Sequence, residues 1–181
     1  MAETETGAPP KKLIVIAAAL VVALAVGVAL LGLFTSSGGE DEPNAGGPLP
    51  LVAVPAPQAT GPQCAALVQA APAELTSNGA KLPRRELAAP APPATLAWGD
   101  ENPVVLRCGL DRPPELTQTA QLRLIDGVQW LQVPDAGTST WYVVDREVYA
   151  ALTVPEQAGT GPLQELSTTV AAALPPQPLR F

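Results

Sequence analysis

Two cysteines, Cys64 and Cys108, and a scatter of carboxylates are the groups in this chain with chemistry to offer, because its 181 residues include no histidine. Without an imidazole, Ser-His-Asp and Cys-His catalysis lack their general base. Zinc sites built on histidine, or on four cysteines, cannot form within one chain. There is no Walker loop, no G-x-G-x-x-G, no G-x-S-x-G and no S-x-x-K. No metal and no cofactor is therefore expected. Carboxylate chemistry is what remains. Asp100 and Glu101 follow Trp98-Gly99, and a pair of carboxylates can cleave glycosides. Adjacent residues in an extended segment point opposite ways, however. Acids in a turn before a strand more often turn the chain or meet an arginine. The expectation is a protein with no catalytic residue; a carboxylate-based enzyme is the alternative.

The fate of the cysteines depends on the compartment, and residues 13–34 speak to that. This run, L-I-V-I-A-A-A-L-V-V-A-L-A-V-G-V-A-L-L-G-L-F, carries no charge. As a helix it would span about 33 Å, matching a hydrocarbon core of about 30 Å. Lys11 and Lys12 precede it, which places the N-terminus inside. A cleavable signal peptide usually has a shorter apolar region, of about 7–15 residues, so a retained signal-anchor is expected. Both cysteines then lie in an oxidising space. A Cys64–Cys108 disulfide is the default there, since no C-x-x-C and no histidine is present to activate a thiolate.

The charge distribution fits this topology. Of ten Lys and Arg only Lys11 and Lys12 precede the end of the apolar run, and of seventeen acids only Glu3 and Glu5, so the whole net charge of −7 lies beyond it. An acidic domain repels phosphate backbones, which disfavours nucleic-acid binding. The plain consequence of the acidity is solubility.

The elements beyond the membrane follow from local pattern. Residues 35–50, rich in Gly, Ser, Pro and acids, read as a flexible linker. The apolar stretch 51–54 is either more linker or an edge strand fenced by Pro50 and Pro55. Pro62 opens a helix in which Cys64, Leu67, Val68 and Ala71 share one face, and Pro72 stops it. Asn78-Gly79 marks a turn. Residues 103–109 read as a strand with Val104, Leu106 and Cys108 on one face and Val105 and Arg107 on the other. An arginine there needs an acid, carbonyls or a wet face. Residues 121–133 are two β-rich runs around Asp126-Gly127, the mark of a type I′ hairpin pairing Ile125 with Val128, Arg123 with Trp130 and Leu122 with Leu131. A second hairpin is expected from 139–144 and 147–154, joined at Asp145-Arg146. Residues 162–174 form a second amphipathic helix, and the end of the chain is expected to fray. The fold class is α+β: one N-terminal transmembrane helix, then a small domain with an antiparallel sheet of two hairpins covered by two helices. The domains are a cytoplasmic tail (1–12), the transmembrane helix (13–34), the linker (35–50), an extracytoplasmic α+β domain (51–175) and a tail (176–181).

The string Trp98-Gly99-Asp100-x-x-Pro103-Val104-Val105-Leu106-Arg107-Cys108-Gly109 resembles a family of actinobacterial, membrane-anchored envelope proteins, domain of unknown function 3515. Asp126-Gly127-Val128-Gln129-Trp130 and the strand from Arg146 to Pro155 extend the resemblance, and Cys64 fits an upstream cysteine. Glu101-Asn102 departs from the family's proline-containing dipeptide. The resemblance implies a cell-envelope setting and no activity. The combined expectation is a single-pass cell-membrane protein with its domain outside, a non-catalytic envelope module that binds a protein or wall partner. The enzyme alternative becomes action on cell-wall glycan. The segment carrying Trp98, Gly99, Asp100 and Arg107 is the candidate motif, expected to be structural, with a ligand pocket as its functional counterpart.

N-terminal sequencing of the mature protein from its native membrane is expected to find residues 13–34 retained. A start near Ala29 or Thr35 would overturn the anchor.

Overall fold

A computed structural model describes residues 47–181. The expected cytoplasmic tail, transmembrane helix and most of the linker lie outside the described residues. Among those described, no helix is long and apolar enough to cross a membrane.

Two helices, α1 (Pro62–Ala70) and α2 (Gly161–Ala173), flank a run of eight strands: β1 (Glu74–Ser77), β2 (Ala80–Arg85), β3 (Thr95–Trp98), β4 (Val104–Leu110), β5 (Leu122–Ile125), β6 (Val128–Asp135), β7 (Thr138–Val143) and β8 (Tyr149–Pro155). The strands form one antiparallel sheet in the order β1-β2-β3-β4-β8-β7-β6-β5. The two helices pack on each other and against the sheet. The α+β class, with an antiparallel sheet and two helices, is what the patterning implied. The sheet is larger than two hairpins. Glu74, Lys81, Pro83 and Arg84 hide β1 and β2 from a reading by β-propensity. Their hairpin is set by Asn78 and Gly79, both at positive φ, which only a type I′ turn demands of both central residues.

The Asp126-Gly127 hairpin has the register that its turn dictates, Ile125 opposite Val128 and Leu122 opposite Leu131. The expected tight join at Asp145-Arg146 is a correction. The β7–β8 ladder ends at Val143 opposite Ala150, and residues 144–148 form a loop instead. Burial explains this. Arg146 is 1% exposed, and its Nη1 and Nη2 donate to the carbonyls of Asp145 and Gly127. The Asp145 carboxylate lies 2.8 Å from the guanidinium. A buried cation needs that many partners, and a two-residue turn cannot supply them.

The inner sheet face and both helices enclose the main core, with Trp98, Leu106, Cys108, Trp130 and Leu152 fully buried. Each buried indole finds an acceptor, as it must: Trp98 donates to the Pro72 carbonyl (3.0 Å) and Trp130 to Ser167 Oγ (2.9 Å). The Cys64–Cys108 disulfide crosses this core, Cα–Cα 5.5 Å, and ties α1 to β4.

Both chain ends of the domain are pinned. Leu49 forms an isolated parallel bridge with Leu87, and the Gly47 carbonyl accepts from Arg85. The domain therefore takes in residues assigned to the linker. Residues 51–54 belong to no ladder; prolines at 48, 50, 55 and 57 remove the donors a strand would need. The C-terminal tail does not fray. Gln177 N donates to the Asp145 carbonyl, and Arg180 donates to the carbonyls of Arg146 and Glu147 while stacking on Tyr149.

The disulfide closes a loop with a sequence separation of 44, worth about 4 kcal/mol in the chain-entropy model. Reduction, or the double change Cys64→Ser and Cys108→Ser, is expected to lower the unfolding free energy by about 2–5 kcal/mol in a denaturant titration. An unchanged midpoint would remove the bridge from the stability of the fold.

Candidate functional site

The string from Trp98 to Gly109 divides into a structural majority and one exception. Trp98 is core, with the Arg84 guanidinium 5.6 Å from its ring centroid. Gly99 has φ +85, and its N–H bonds the Pro83 carbonyl across the start of β3–β2 pairing. Asp100 is exposed, and its backbone carbonyl accepts from Arg85. Gly109 has φ +87, and a Cβ there would stand 2.2 Å from Ala59 N. That glycine lets β4 bulge between Cys108 and Leu110 and lets the 56–59 turn close on it. Cys108 is in the disulfide.

Arg107 is the exception. Strand alternation turns its side chain to the outer sheet face once Leu106 and Cys108 enter the core. It meets neither an acid nor a carbonyl: among the described residues it has no hydrogen bond or ion pair, and its Nε is buried without a partner. Of the acid, carbonyls or wet face that a strand arginine needs, the structure gives Arg107 the third, a place on the lining of a cleft. Trp98 and Asp100 do not stand beside it. Its neighbours come from other strands through the register, which aligns Thr95, Arg107, Ala151, Tyr142 and Leu131 in one row across β3, β4, β8, β7 and β6. The next row holds Val105, Thr153 and Thr140.

Ala151 is the key to the space. It sits between Arg107 and Tyr142, and its methyl leaves a hollow where those two longer side chains stand one strand away on either side. The result is a cleft of about 380 Å³, within the size range of small-ligand sites. Thr140 and Thr153 share a hydroxyl contact of 3.3 Å on its floor. Leu110, Asp111, Arg112, Pro113 and Pro114 line it too, as do Val54 and Pro55 of the N-terminal segment. The loop after β4 is held down by Leu116, fully buried with Leu131, Val144 and Tyr149 in a second, smaller core. Arg112 Nη1 donates to the Leu116 carbonyl, so that arginine is partly committed to the loop.

Burial pushes Arg107 below the ordinary guanidinium range, partly offset by the Tyr142 phenol. Burial also raises Tyr142, helped by Glu115 and opposed by Arg107. Each shift records a polar group drawn out of water without a full set of partners. Only a strand arginine was legible in sequence. Tyr142, Thr140, Thr153 and Ala151 carried no signal, because their convergence depends on the β4-β8-β7 strand order.

The carboxylates are dispersed differently. Glu86 and Asp100 line one hollow of about 200 Å³ with Arg84 and Arg85, and Asp100 and Glu101 line another. Glu86, Asp100 and Glu101 are exposed, whereas glycoside cleavage needs one carboxyl in a desolvating setting. Among the described residues no three acidic or sulfur ligands converge on a metal position.

The sequence profile of a protein family of unknown function, DUF3515, matches residues 14–179. The chain belongs to that family. No curated protein and no solved structure matches it. DUF3515 membership thus covers the whole described domain up to Leu179 and most of the apolar run before it.

At neutral pH the Arg107 shift opposes folding. A lowered folded-state pKa favours the native state only above the unfolded guanidinium range, and that contribution is gone as pH falls. Arg107→Met keeps the aliphatic stem and removes the charge. Its thermal midpoint is expected to be unchanged or higher. A loss of more than about 1 kcal/mol would show that Arg107 holds the fold together.

Proposed function

We propose that this DUF3515 protein is a non-catalytic, membrane-tethered module of the actinobacterial cell envelope, whose outer sheet face binds an anionic group on a protein or wall partner. The supporting observation is Arg107: a half-buried cation whose Nε has no partner, in a cleft lined by hydroxyls. Cations in such settings are costly unless something completes them, and arginine is the side chain best suited to oxyanions. The tether rests on the uncharged run 13–34, most of which the family match includes. With its single span, Lys11 and Lys12 inside and an acidic domain outside, the chain would present the cleft to the envelope space.

The second reading is a carboxylate enzyme acting on wall glycan, favoured by Glu86 and Asp100 lining one hollow. One experiment separates the two. The full-length chain is recovered from native membranes as wild type, as Arg107→Met and as Glu86→Gln with Asp100→Asn, and co-purifying material is compared. Binding lost only in Arg107→Met supports the module. Material retained by Arg107→Met, together with glycan turnover abolished in the acid variant, would replace it with the enzyme.

A further inference from the structure

The reading of the cleft leaves open which anion it takes, and the surrounding groups bear on that. Two guanidinium groups, Arg107 and Arg112, line the cleft, but so does the Asp111 carboxylate. Glu115 acts electrostatically on the Tyr142 phenol. Two cations are thus balanced by two acids, in a protein of net charge −7. A dianion such as a phosphate monoester would meet no net positive field there, whereas a monoanion needs only one local guanidinium. The Arg107 Nε is buried without a partner, so the terminal nitrogens are what the guanidinium offers. Nη1 and Nη2 are not buried in this way, and their N–H groups form the end-on fork that a carboxylate accepts with both oxygens.

The rest of the cleft describes what is attached to that carboxylate. Thr153 is on β8 diagonal to Arg107, and Thr140 lies beyond it on β7. Diagonal positions on one sheet face stand about 7–8 Å apart, about two residues of extended peptide, so a ligand whose carboxylate sits on Arg107 brings a peptide group within its last two residues to the threonines. Their hydroxyls donate and accept equally well, which suits an amide. Ala151 leaves room for the ligand to lie across the sheet, and Val54, Pro55, Leu110 and Pro114 offer an apolar wall to a short side chain.

We infer that the Arg107 cleft recognises the free C-terminal carboxylate of a peptide ending in a small apolar residue, Arg107 taking the carboxylate, Thr140 and Thr153 an amide within its last two residues, and the Val54–Leu110 wall the side chain. This rests on the cleft being the binding site and adds the class of ligand.

The test uses the full-length chain in lipid nanodiscs and calorimetric titration with N-acetyl-alanyl-alanine, its C-terminal amide and inorganic phosphate. The free acid is expected to bind. The amide, and Arg107→Lys titrated with the acid, are each expected to be weaker by roughly tenfold or more, the effect of losing one charge-assisted hydrogen bond. Thr140→Val with Thr153→Val is expected to weaken the acid while leaving the thermal midpoint near wild type. Phosphate binding as tightly as the acid, or the amide binding as tightly, would overturn the ligand class; if either is lost in Arg107→Met, the cleft itself remains the binding site. Absence of binding by all three probes overturns the peptide proposal, and the co-purification experiment with Arg107→Met then decides the cleft separately.

Discussion

The disulfide between Cys64 and Cys108 is the constraint from which the rest of the domain follows. It lies in the middle of the core and fixes one face of β4 against α1. Because strand side chains alternate, anchoring Cys108 inward also commits Leu106 and Val104 inward and Arg107 outward. A slip of one residue would bury a guanidinium among leucines and expose the sulfur. The covalent link therefore does more than limit the unfolded chain. It selects which side of the central strand faces the helices and which faces the cleft, and Gly109, with no Cβ to strike Ala59, allows the strand to bulge immediately afterwards.

Two arginines show how differently this small fold treats a desolvated cation. Arg146 is almost completely buried and is surrounded by the Asp145 carboxylate and the carbonyls of Asp145 and Gly127. Its own carbonyl receives Arg180. That cluster joins the β5–β6 turn, the β7–β8 loop and the end of the chain, three segments with no shared ladder. Arg107 is half-buried and has no such set. Both leave a buried Nε without a partner, but Arg146 has a carboxylate and two carbonyls on its terminal nitrogens while Arg107 has none, at some cost in stability, and function is the ordinary reason for such a cost.

The two ends of the domain contribute to this arrangement through unpaired, proline-interrupted segments. Residues 47–57 cross from the bridge at Leu49 to the turn against Gly109, and on the way Val54 and Pro55 become a wall of the cleft. Val52 and Val54 remain exposed, since a chain whose donors are removed by proline can neither join the sheet nor fold back on itself. The strap lies where it does because its ends are held, at Leu49 by backbone bonds to Glu86 and Ala88 and at Gln58 by the Gly109 carbonyl.

Local physics alone settled a good deal from the residues in order. The apolar period of α1 and α2, the Asp126-Gly127 turn with its register, the two faces of β4 and the oxidised cysteine pair are each legible, because each depends on neighbours in sequence or on compartment. The absence of histidine bounded the chemistry in the same way. Other features waited on the tertiary structure. Strands β1 and β2 are short and polar, and they hold as strands because they add, through β3, to a sheet already formed by β4. The loop at Asp145-Arg146 looked like a hairpin turn until burial of its guanidinium decided otherwise. The cleft is the clearest case. Arg107, Ala151, Tyr142, Thr140 and Thr153 come together only through a strand order that places β8 between β4 and β7, and non-local pairing of that kind leaves no periodic trace in the sequence.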